Sequence, residues 1–89
     1  MKIKLELYGA TREFSEKDYL EFNLKEKSSI NDLRNEILNF IDKNFQGNDG
    51  FKKLVKSSKF CSEENNIVED SYRITKDQKI GIIPPIGGG

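Results

Sequence analysis

The C-terminal segment, residues 79–89, constrains the fold most, because it joins an apolar strand to a stretch that cannot continue regular structure. The isoleucines among residues 80–83 are β-branched and suit the middle of a sheet. Pro84 and Pro85 lack an amide hydrogen, so they end strand pairing and keep the chain extended. The glycines that follow are limited only by backbone thickness. The pattern predicts a thin tail that can enter a narrow active site on another protein, with the carboxylate of Gly89 at its tip.

Two other interpretations of the tail remain open at this point. A chain end rich in glycine is often merely disordered, and glycines are also common in linkers left by cloning. Neither interpretation explains why a strand precedes the tail, or why residues 82–86 read Ile-Ile-Pro-Pro-Ile. We therefore expect the tail to be functional.

Length and composition define the class of protein. The 89 residues suffice for a single domain, residues 1–89, of which 84–89 form the extended tail. The 15 basic and 15 acidic side chains cancel, which argues against a nucleic-acid partner. No apolar run is long enough to span a bilayer, and no signal peptide is evident. With one cysteine and hence no internal disulfide, we expect a cytoplasmic protein with no membrane partner.

The residue types that usually carry catalysis are scarce. The chain has no histidine, the usual general base near neutral pH, and no cysteine–histidine cluster for zinc. Cys61 is either a small apolar side chain or a nucleophile, and no imidazole could activate it. We predict no metal site and no bound cofactor. In a reaction, the protein would supply a reacting group and no catalytic machinery of its own.

The first half of the chain predicts a hairpin and a helix. Residues 2–8 and 19–25 alternate polar and apolar side chains, so we expect an antiparallel pair joined by a long loop with Phe14 packed beneath it as a plug. Ser29, followed three residues later by Asp32, predicts a helix cap. Apolar residues then recur at spacings of three and four, so one helix face would cover the hairpin.

The second half is harder to interpret. We take residues 47–50 as the end of the helix, and residues 51–56 as a short turn or the approach to a strand. Residues 59–69 predict a short hairpin that turns at its asparagines. Tyr72 and Ile74 would anchor the connection to the final strand.

The predicted order is strand, strand, helix, strand, strand, strand, which favours an α+β fold of two layers. The first and last strands would lie side by side in a mixed sheet of four to five strands, packed on one main helix. The last strand is the most apolar, as expected of a strand in the middle of the sheet.

Three segments of the chain resemble the β-grasp (ubiquitin-like) sulfur carriers, and above all the MoaD-like family, the small subunit of molybdopterin synthase. Residues 3–13 are similar to the family's first strand and loop, residues 29–34 to its helix start, and residues 74–89 to its entire C-terminal segment. The shared ending is Pro-Pro, two residues and Gly-Gly. The resemblance implies a β-grasp domain with a flexible C-terminal Gly-Gly tail.

The chain also departs from the family pattern. Asp77-Gln78 stands where the family usually has Gly-Asp, Ile82-Ile83 replaces a common pair of phenylalanines, and Gly87 adds a third glycine. None of these differences removes the terminal glycine pair.

The resemblance implies a specific chemistry for the tail. A MoeB-like, ubiquitin-activating-like enzyme would use ATP to adenylate the carboxylate of Gly89, and sulfur would then replace the adenylate to give a thiocarboxylate. The tail would next enter the active site of a MoaE-like large subunit. There it would donate sulfur to a cyclic pyranopterin phosphate, to build the dithiolene of the molybdenum or tungsten cofactor. Gly88 would have to lack a side chain, because both active sites close around bare backbone.

Residues beside the terminal pair are candidates for partner contacts: Ile82, Ile83, Pro84, Pro85, Ile86 and Gly87. Ile82 and Ile83 point to opposite faces of their strand, so core filling remains an alternative for each of them.

Other functions would use the same tail. A ubiquitin-like protein modifier starts from the same adenylate and ends in an isopeptide bond. A sulfur carrier could also serve thiamine synthesis or tRNA thiolation. A pure interaction domain of the same fold would not need Gly88 and Gly89.

Overall fold

The structure is a computed structural model that describes residues 1–86. The elements of this part of the chain are β1 (Lys2–Leu7), β2 (Tyr19–Asn23), α1 (Ile30–Asn44), α2 (Asp49–Ser57), β3 (Lys59–Cys61), β4 (Ile67–Val68) and β5 (Gln78–Ile83). A short 3-10 helix, Gly9–Phe14, lies between β1 and β2. The predicted order of strands and main helix is confirmed, and α2 is an addition to it.

All of these strands belong to one mixed sheet with the order β2-β1-β5-β3-β4. β1 and β5 run parallel, with Leu5 opposite Ile80, whereas the pairs β1–β2, β3–β5 and β3–β4 are antiparallel. The predicted α+β fold, with the first and last strands side by side in the middle, is therefore confirmed. Its consequence for the tail is that the last strand is held by a neighbour on each side.

The core lies between one face of the sheet and α1. Every second strand residue contacts the apolar face of the helix, because side chains repeat with a period of about two in a strand and about 3.6 in a helix. Phe14, the predicted plug, is 2% exposed and packs edge-on against Phe51 at 5.1 Å between ring centroids. The buried apolar residues are Ile3, Leu5, Leu7, Phe14, Leu24, Ile30, Leu33, Ile37, Ile41, Val55, Phe60, Ile74, Ile80 and Ile82.

The start of α1 is a reciprocal capping box, as predicted. The amide of Asp32 donates to Ser29 Oγ at 3.2 Å, and the amide of Ser29 donates to Asp32 Oδ2 at 2.8 Å. Donation to the Asp32 carboxyl from the Ser29 amide, and from the Ser29 hydroxyl at 3.1 Å, holds the pKa of this carboxyl below its usual value, with a smaller contribution from the charge of Arg73.

The main helix ends before Gly47, as predicted, but the interpretation of residues 51–56 as a short turn or the approach to a strand is wrong, because Asn48 begins a second helix. Its Oδ1 accepts a hydrogen bond from the amide of Phe51 at 2.9 Å, the geometry of an N-cap. Phe51, Leu54 and Val55 then lie on one face of α2 toward the core, with Val55 fully buried. The helical spacing of these three residues was a usable signal, and the glycine in the first turn obscured it.

The connection after β4 is anchored partly as predicted. Ile74 is fully buried, and its amide donates to the carbonyl of Ser28 at 2.8 Å. Tyr72 is 37% exposed, so its side chain contributes little to this anchoring. Tyr72 is held through its backbone instead, because its carbonyl accepts the amide of Ile30 at 3.0 Å.

Arg34 joins the two helices to the β3–β4 half of the sheet. Its Nη1 donates to the carbonyls of Val55 and Ser58 at 2.7 and 2.8 Å. Its Nε and Nη2 form a bidentate pair with Asp70 at 3.2 and 2.7 Å. The guanidinium also lies over the ring of Phe60, 4.8 Å from the centroid.

Candidate functional site

The base of the predicted tail leaves the domain directly from the centre of the sheet. β5 ends at Ile83, Pro84 is half-buried, and Pro85 and Ile86 are exposed. The side chain of Ile86 is 97% exposed. The predicted reactive residues Gly88 and Gly89, and the predicted contact Gly87, lie outside the described residues.

Pro84 is held against the loop that follows β1. Gly9 has a φ of +56°, and a Cβ built on it would lie 3.0 Å from Cγ of Pro84. Only glycine occupies this backbone region without strain and also leaves room for the pyrrolidine ring. The direction in which the tail departs is therefore set by a contact between the first strand–helix turn and the first proline.

The face of the sheet opposite α1 is open. We define the open-face patch as Tyr8, Cys61, Ile67, Gly81 and Ile83. Tyr8 and Ile67 are 45% and 56% exposed, while Cys61 and Ile83 are half-buried. The patch is apolar and lies beside the base of the tail, which makes it a surface on which a partner could seat while the tail is engaged.

Two contacts hold Tyr8 in this patch. Its ring lies over Gly81 so closely that a Cβ built on Gly81 would stand 2.9 Å from Tyr8 Cε2. Its backbone is held by the buried Thr11, whose Oγ1 donates to the Tyr8 carbonyl at 2.6 Å and accepts from the Tyr8 amide at 3.0 Å. A large aromatic side chain is thus held in place on the open face by contacts within the chain.

A hollow of about 430 Å³ lies within the same face. Its charged lining combines Lys79 with Glu6 and Glu63, so apolar and ionic contacts are both available. The lining residues are Glu6, Tyr8, Cys61, Ser62, Glu63, Asn65, Lys79, Gly81 and Ile83. The turn at its rim is built by Asn65, which has a φ of +66°.

The structure separates the two isoleucines that were predicted to contact a partner. Ile82 is fully buried in the core, so its side chain is not available to a partner, and the core-filling alternative is the one observed. The pleat turns Ile83 to the open face, where it is half-buried and lines the hollow. Ile83, Pro84, Pro85 and Ile86 form one continuous accessible stretch.

Sequence reasoning missed Tyr8, Gly81 and Ile67. Tyr8 is out of phase with the buried residues of β1, so it belongs to the opposite face. A glycine inside a strand is a known sign of close approach by another group. These two signals together could have located the open-face patch.

Within residues 1–86, no three side chains of the histidine, cysteine, aspartate or glutamate type come together as a metal-binding group. Neither described helix is long and apolar enough to cross a membrane. Cys61 lies half-buried at the wall of the hollow.

Solved structures provide the comparison with known proteins, since no family model and no curated protein sequence matches the chain. SAMP1 from Haloferax volcanii superposes with a TM-score of 0.70 at 12% identity, covering 100% of both chains. A protein described as molybdopterin converting factor subunit 1, from Pyrococcus furiosus, gives 0.69 at 19% identity, covering 96% of this chain and 98% of that one. Caldiarchaeum subterraneum ubiquitin gives 0.61 at 16% identity, covering 100% and 98%.

These likenesses define the class of protein: the chain has the ubiquitin-like β-grasp fold. The resemblance to MoaD-like proteins is confirmed at the level of this fold. At identities of 12% to 19%, these likenesses establish the fold alone.

Proposed function

We propose that this protein is a sulfur carrier and serves as the small subunit of molybdopterin synthase. The observation that carries the proposal is the path of β5, which runs through the centre of the sheet. The chain then continues into Pro84, Pro85 and the exposed Ile86 beside the open-face patch. A rigid base, an extended exit and an adjacent docking surface are the parts needed to present a chain terminus to another protein's active site. The likeness to a molybdopterin converting factor subunit 1 supports the choice of pathway.

The proposed chemistry takes place at the carboxylate of Gly89. A carboxylate is a poor electrophile, so an activating enzyme first transfers AMP from ATP to it and releases pyrophosphate. A sulfur nucleophile then displaces AMP and leaves the thiocarboxylate. The thiocarboxylate sulfur forms a C–S bond to a carbon of the cyclic pyranopterin phosphate and displaces an oxygen substituent from that carbon. Water then cleaves the bond between the Gly89 carbonyl carbon and the sulfur, so the sulfur remains on the pterin and the carboxylate is regenerated. Tethering makes this transfer a positioned reaction.

The partners follow from these steps. One is a MoeB-like adenylyltransferase, which uses the ATP, and the other is a MoaE-like large subunit, which binds the pterin substrate. In both complexes the open-face patch would bury its apolar area, while Pro84 and Pro85 stiffen the approach of the tail and reduce the entropy lost on insertion. We place the whole reaction in the cytoplasm, and the carrier itself binds no cofactor.

Intact-mass spectrometry of the protein from its native cell tests the proposal. The proposal requires Gly89 to carry the free carboxylate, and conversion of this group to a thiocarboxylate adds about 16 Da. A control sample treated with an alkylating reagent should gain one adduct on Cys61 and a second on the thiocarboxylate. A protein that shows only the unmodified mass, under conditions in which molybdenum enzymes are active, would contradict sulfur carriage.

A ubiquitin-like protein modifier is the second candidate, because an archaeal ubiquitin is among the structures that share the fold. It begins with the same acyl adenylate but ends in an isopeptide bond to lysine side chains. Immunoblots of native cells would then show a ladder of conjugates that disappears when Gly88 and Gly89 are deleted. Carriers for thiamine or tRNA thiolation would give the same mass shift, and are distinguished by the protein that co-purifies.

A further inference from the structure

The turn that follows β1 contacts the exit of β5 at two separate points. The ring of Tyr8 lies over Gly81, inside β5, and Gly9 lies against Pro84, the first residue beyond that strand. These two positions lie on either side of the last two residues of β5. A chain held at one point can still pivot about it, whereas two contacts fix its direction. Tyr8 and Gly9 together therefore set the direction of the base of the tail.

Thr11 is the side chain that holds these two residues in place. It is fully buried, and both hydrogen bonds that its side chain makes in the described part of the chain go to Tyr8. Its hydroxyl donates to the Tyr8 carbonyl at 2.6 Å and accepts from the Tyr8 amide at 3.0 Å. The Tyr8 carbonyl belongs to the planar peptide unit that leads into Gly9, so the same hydrogen bond also orients Gly9.

The segment that contains Thr11 is itself anchored to the domain. Thr11 lies in the 3-10 helix Gly9–Phe14, which contacts both β1 and β5. The last residue of this helix, Phe14, is buried and packs edge-on against Phe51 of α2. Because the segment packs against other elements along its length, the Thr11 hydroxyl is a fixed point from which Tyr8 and Gly9 are held.

We propose that Thr11 is a positioning residue, which fixes the direction of the tail relative to the open-face patch. The inference rests on the proposed function, in which a partner docks on this patch while its active site receives the tail. Tyr8 belongs to the patch and Gly9 contacts the base of the tail, so one side chain sets the geometry between the two. Productive entry of a tethered group depends on this geometry, because a small displacement sharply lowers the rate of a positioned reaction.

The ring of Tyr8 and the hydroxyl of Thr11 should therefore act on different kinetic constants. Tyr8→Ala removes apolar area from the docking surface and so weakens the complex, but it keeps the backbone bonds to Thr11 and the contact of Gly9 with Pro84. Thr11→Val removes the hydroxyl and releases the backbone that directs the tail. We expect Tyr8→Ala to raise KM, and Thr11→Val to lower kcat.

The first test needs no partner protein. NMR of the full-length protein should show a nuclear Overhauser effect between the α protons of Gly9 and the ring protons of Pro84, since these groups are in contact. In Thr11→Val this effect should be lost, and nitrogen relaxation should show a more mobile amide at Ile86. Thr11→Ser keeps the hydroxyl and should preserve the effect. Its persistence in Thr11→Val would overturn the proposal.

The second test uses the activating enzyme of the proposed function. ATP–pyrophosphate exchange is measured against the concentration of the carrier, well below the melting temperature of each variant. Thr11→Val should lower kcat at least about tenfold, because the reacting terminus is misplaced. Thr11→Ser should recover most of the rate. Thr75→Val, the same substitution at an exposed threonine, is the matched control and should change neither constant.

The two tests separate the positioning role from the proposed function. A normal kcat in Thr11→Val would overturn the positioning role, even if the contact between Gly9 and Pro84 is lost. A rise in KM with an unchanged kcat would also overturn it, since Thr11 would then serve docking alone. If the unmodified protein supports no exchange, the proposed function fails, and the NMR result alone decides whether Thr11 directs the tail.

A comparison of the two prolines replaces these variants if Thr11→Val fails to fold. Pro84→Ala and Pro85→Ala each remove one proline, but Pro84 lies against Gly9 whereas Pro85 is exposed. The proposal then requires Pro84→Ala to lower kcat more than Pro85→Ala does. Equal effects would show that entry of the tail depends on its stiffness and not on the contact with Gly9, and would overturn the proposal.

Discussion

The ring of Tyr8 covers Gly81 at van der Waals contact, so that a Cβ at position 81 would lie 2.9 Å from Tyr8 Cε2. The central strand β5 has a glycine at this position, and the aromatic ring of Tyr8 occupies the space on the open face where a side chain would otherwise lie. Because Tyr8 is 45% exposed, it can rotate away if the space is filled.

Gly81→Val should therefore displace Tyr8 without unfolding the protein. We expect the free energy of unfolding to change by less than about 1 kcal/mol, since valine suits a strand and the ring can move into solvent. NMR of the Tyr8 ring protons should show a large change in shift. In the Tyr8→Ala background, Gly81→Val should leave the chemical shifts of neighbouring residues nearly unchanged. Unchanged shifts of the Tyr8 ring protons in the Gly81→Val protein would refute the assigned contact.

Gly9→Ala should destabilise the protein by about 1–2 kcal/mol, because an alanine at a φ of +56° is strained and its Cβ meets Pro84 at 3.0 Å. Urea denaturation measures this change. Gly50→Ala is the matched control, since Gly50 is exposed in the first turn of α2. Equal effects of the two substitutions would show that the left-handed turn at Gly9 does not matter.

Arg34→Ala should cost about 3 kcal/mol of unfolding free energy, because it leaves the carbonyls of Val55 and Ser58 and the carboxylate of Asp70 without their donor. Arg34→Lys should recover little, since an ammonium cannot reproduce the planar fork. Lys53→Ala, on the exposed side of α2, provides the control and should lie within about 0.5 kcal/mol of the unmodified protein.

Asp32 should contribute to the acid sensitivity of the protein. Its pKa in the folded state lies below the usual value of 3.8, so the capping box stabilises the fold fully above that pH. This stabilisation is lost as the pH falls through the folded-state pKa, when protonation removes the acceptor for the Ser29 amide. Thermal melts from about pH 5 down to about pH 2 should show a shallower loss of stability for Asp32→Asn than for the unmodified protein. Parallel curves would contradict the assignment.

Gly88→Val should abolish formation of the acyl adenylate while the melting temperature stays unchanged. The physical reason is that an activating site closed around backbone has no space for a side chain. ATP–pyrophosphate exchange with the purified activating enzyme is the measurement. Gly87→Ala is the matched control and should retain most of the exchange rate. Full exchange with Gly88→Val would contradict the proposed mechanism.

Much of the fold could be predicted from local patterns. The alternation in β1, the Ser29–Asp32 capping box and the β-branched final strand each depend on residues that are close in sequence. Their type and order were correct for that reason. α2 was missed because its first residues, Asn48, Asp49 and Gly50, also suit a turn and obscured the helical spacing of the apolar residues that follow.

The residues of the candidate site likewise divide into those that local sequence patterns predict and those that depend on the tertiary structure. The accessible stretch from Ile83 to Ile86 follows from strand alternation and the chemistry of proline, both of which are local. The burial of Ile82 and the exposure of the Tyr72 side chain depend on which face α1 covers, and no local pattern contains that information.

The sequence by itself determined the elements, the apolar final strand and the proline-stiffened exit, because propensity and periodicity act over a few residues. Only the tertiary structure decided what surrounds that exit. The pairing of β1 with β5 brings Tyr8 over Gly81 and Gly9 against Pro84, across more than seventy positions of the chain. Contacts of that separation arise from packing the sheet on α1, which couples faces of distant strands that have no common signature in the sequence.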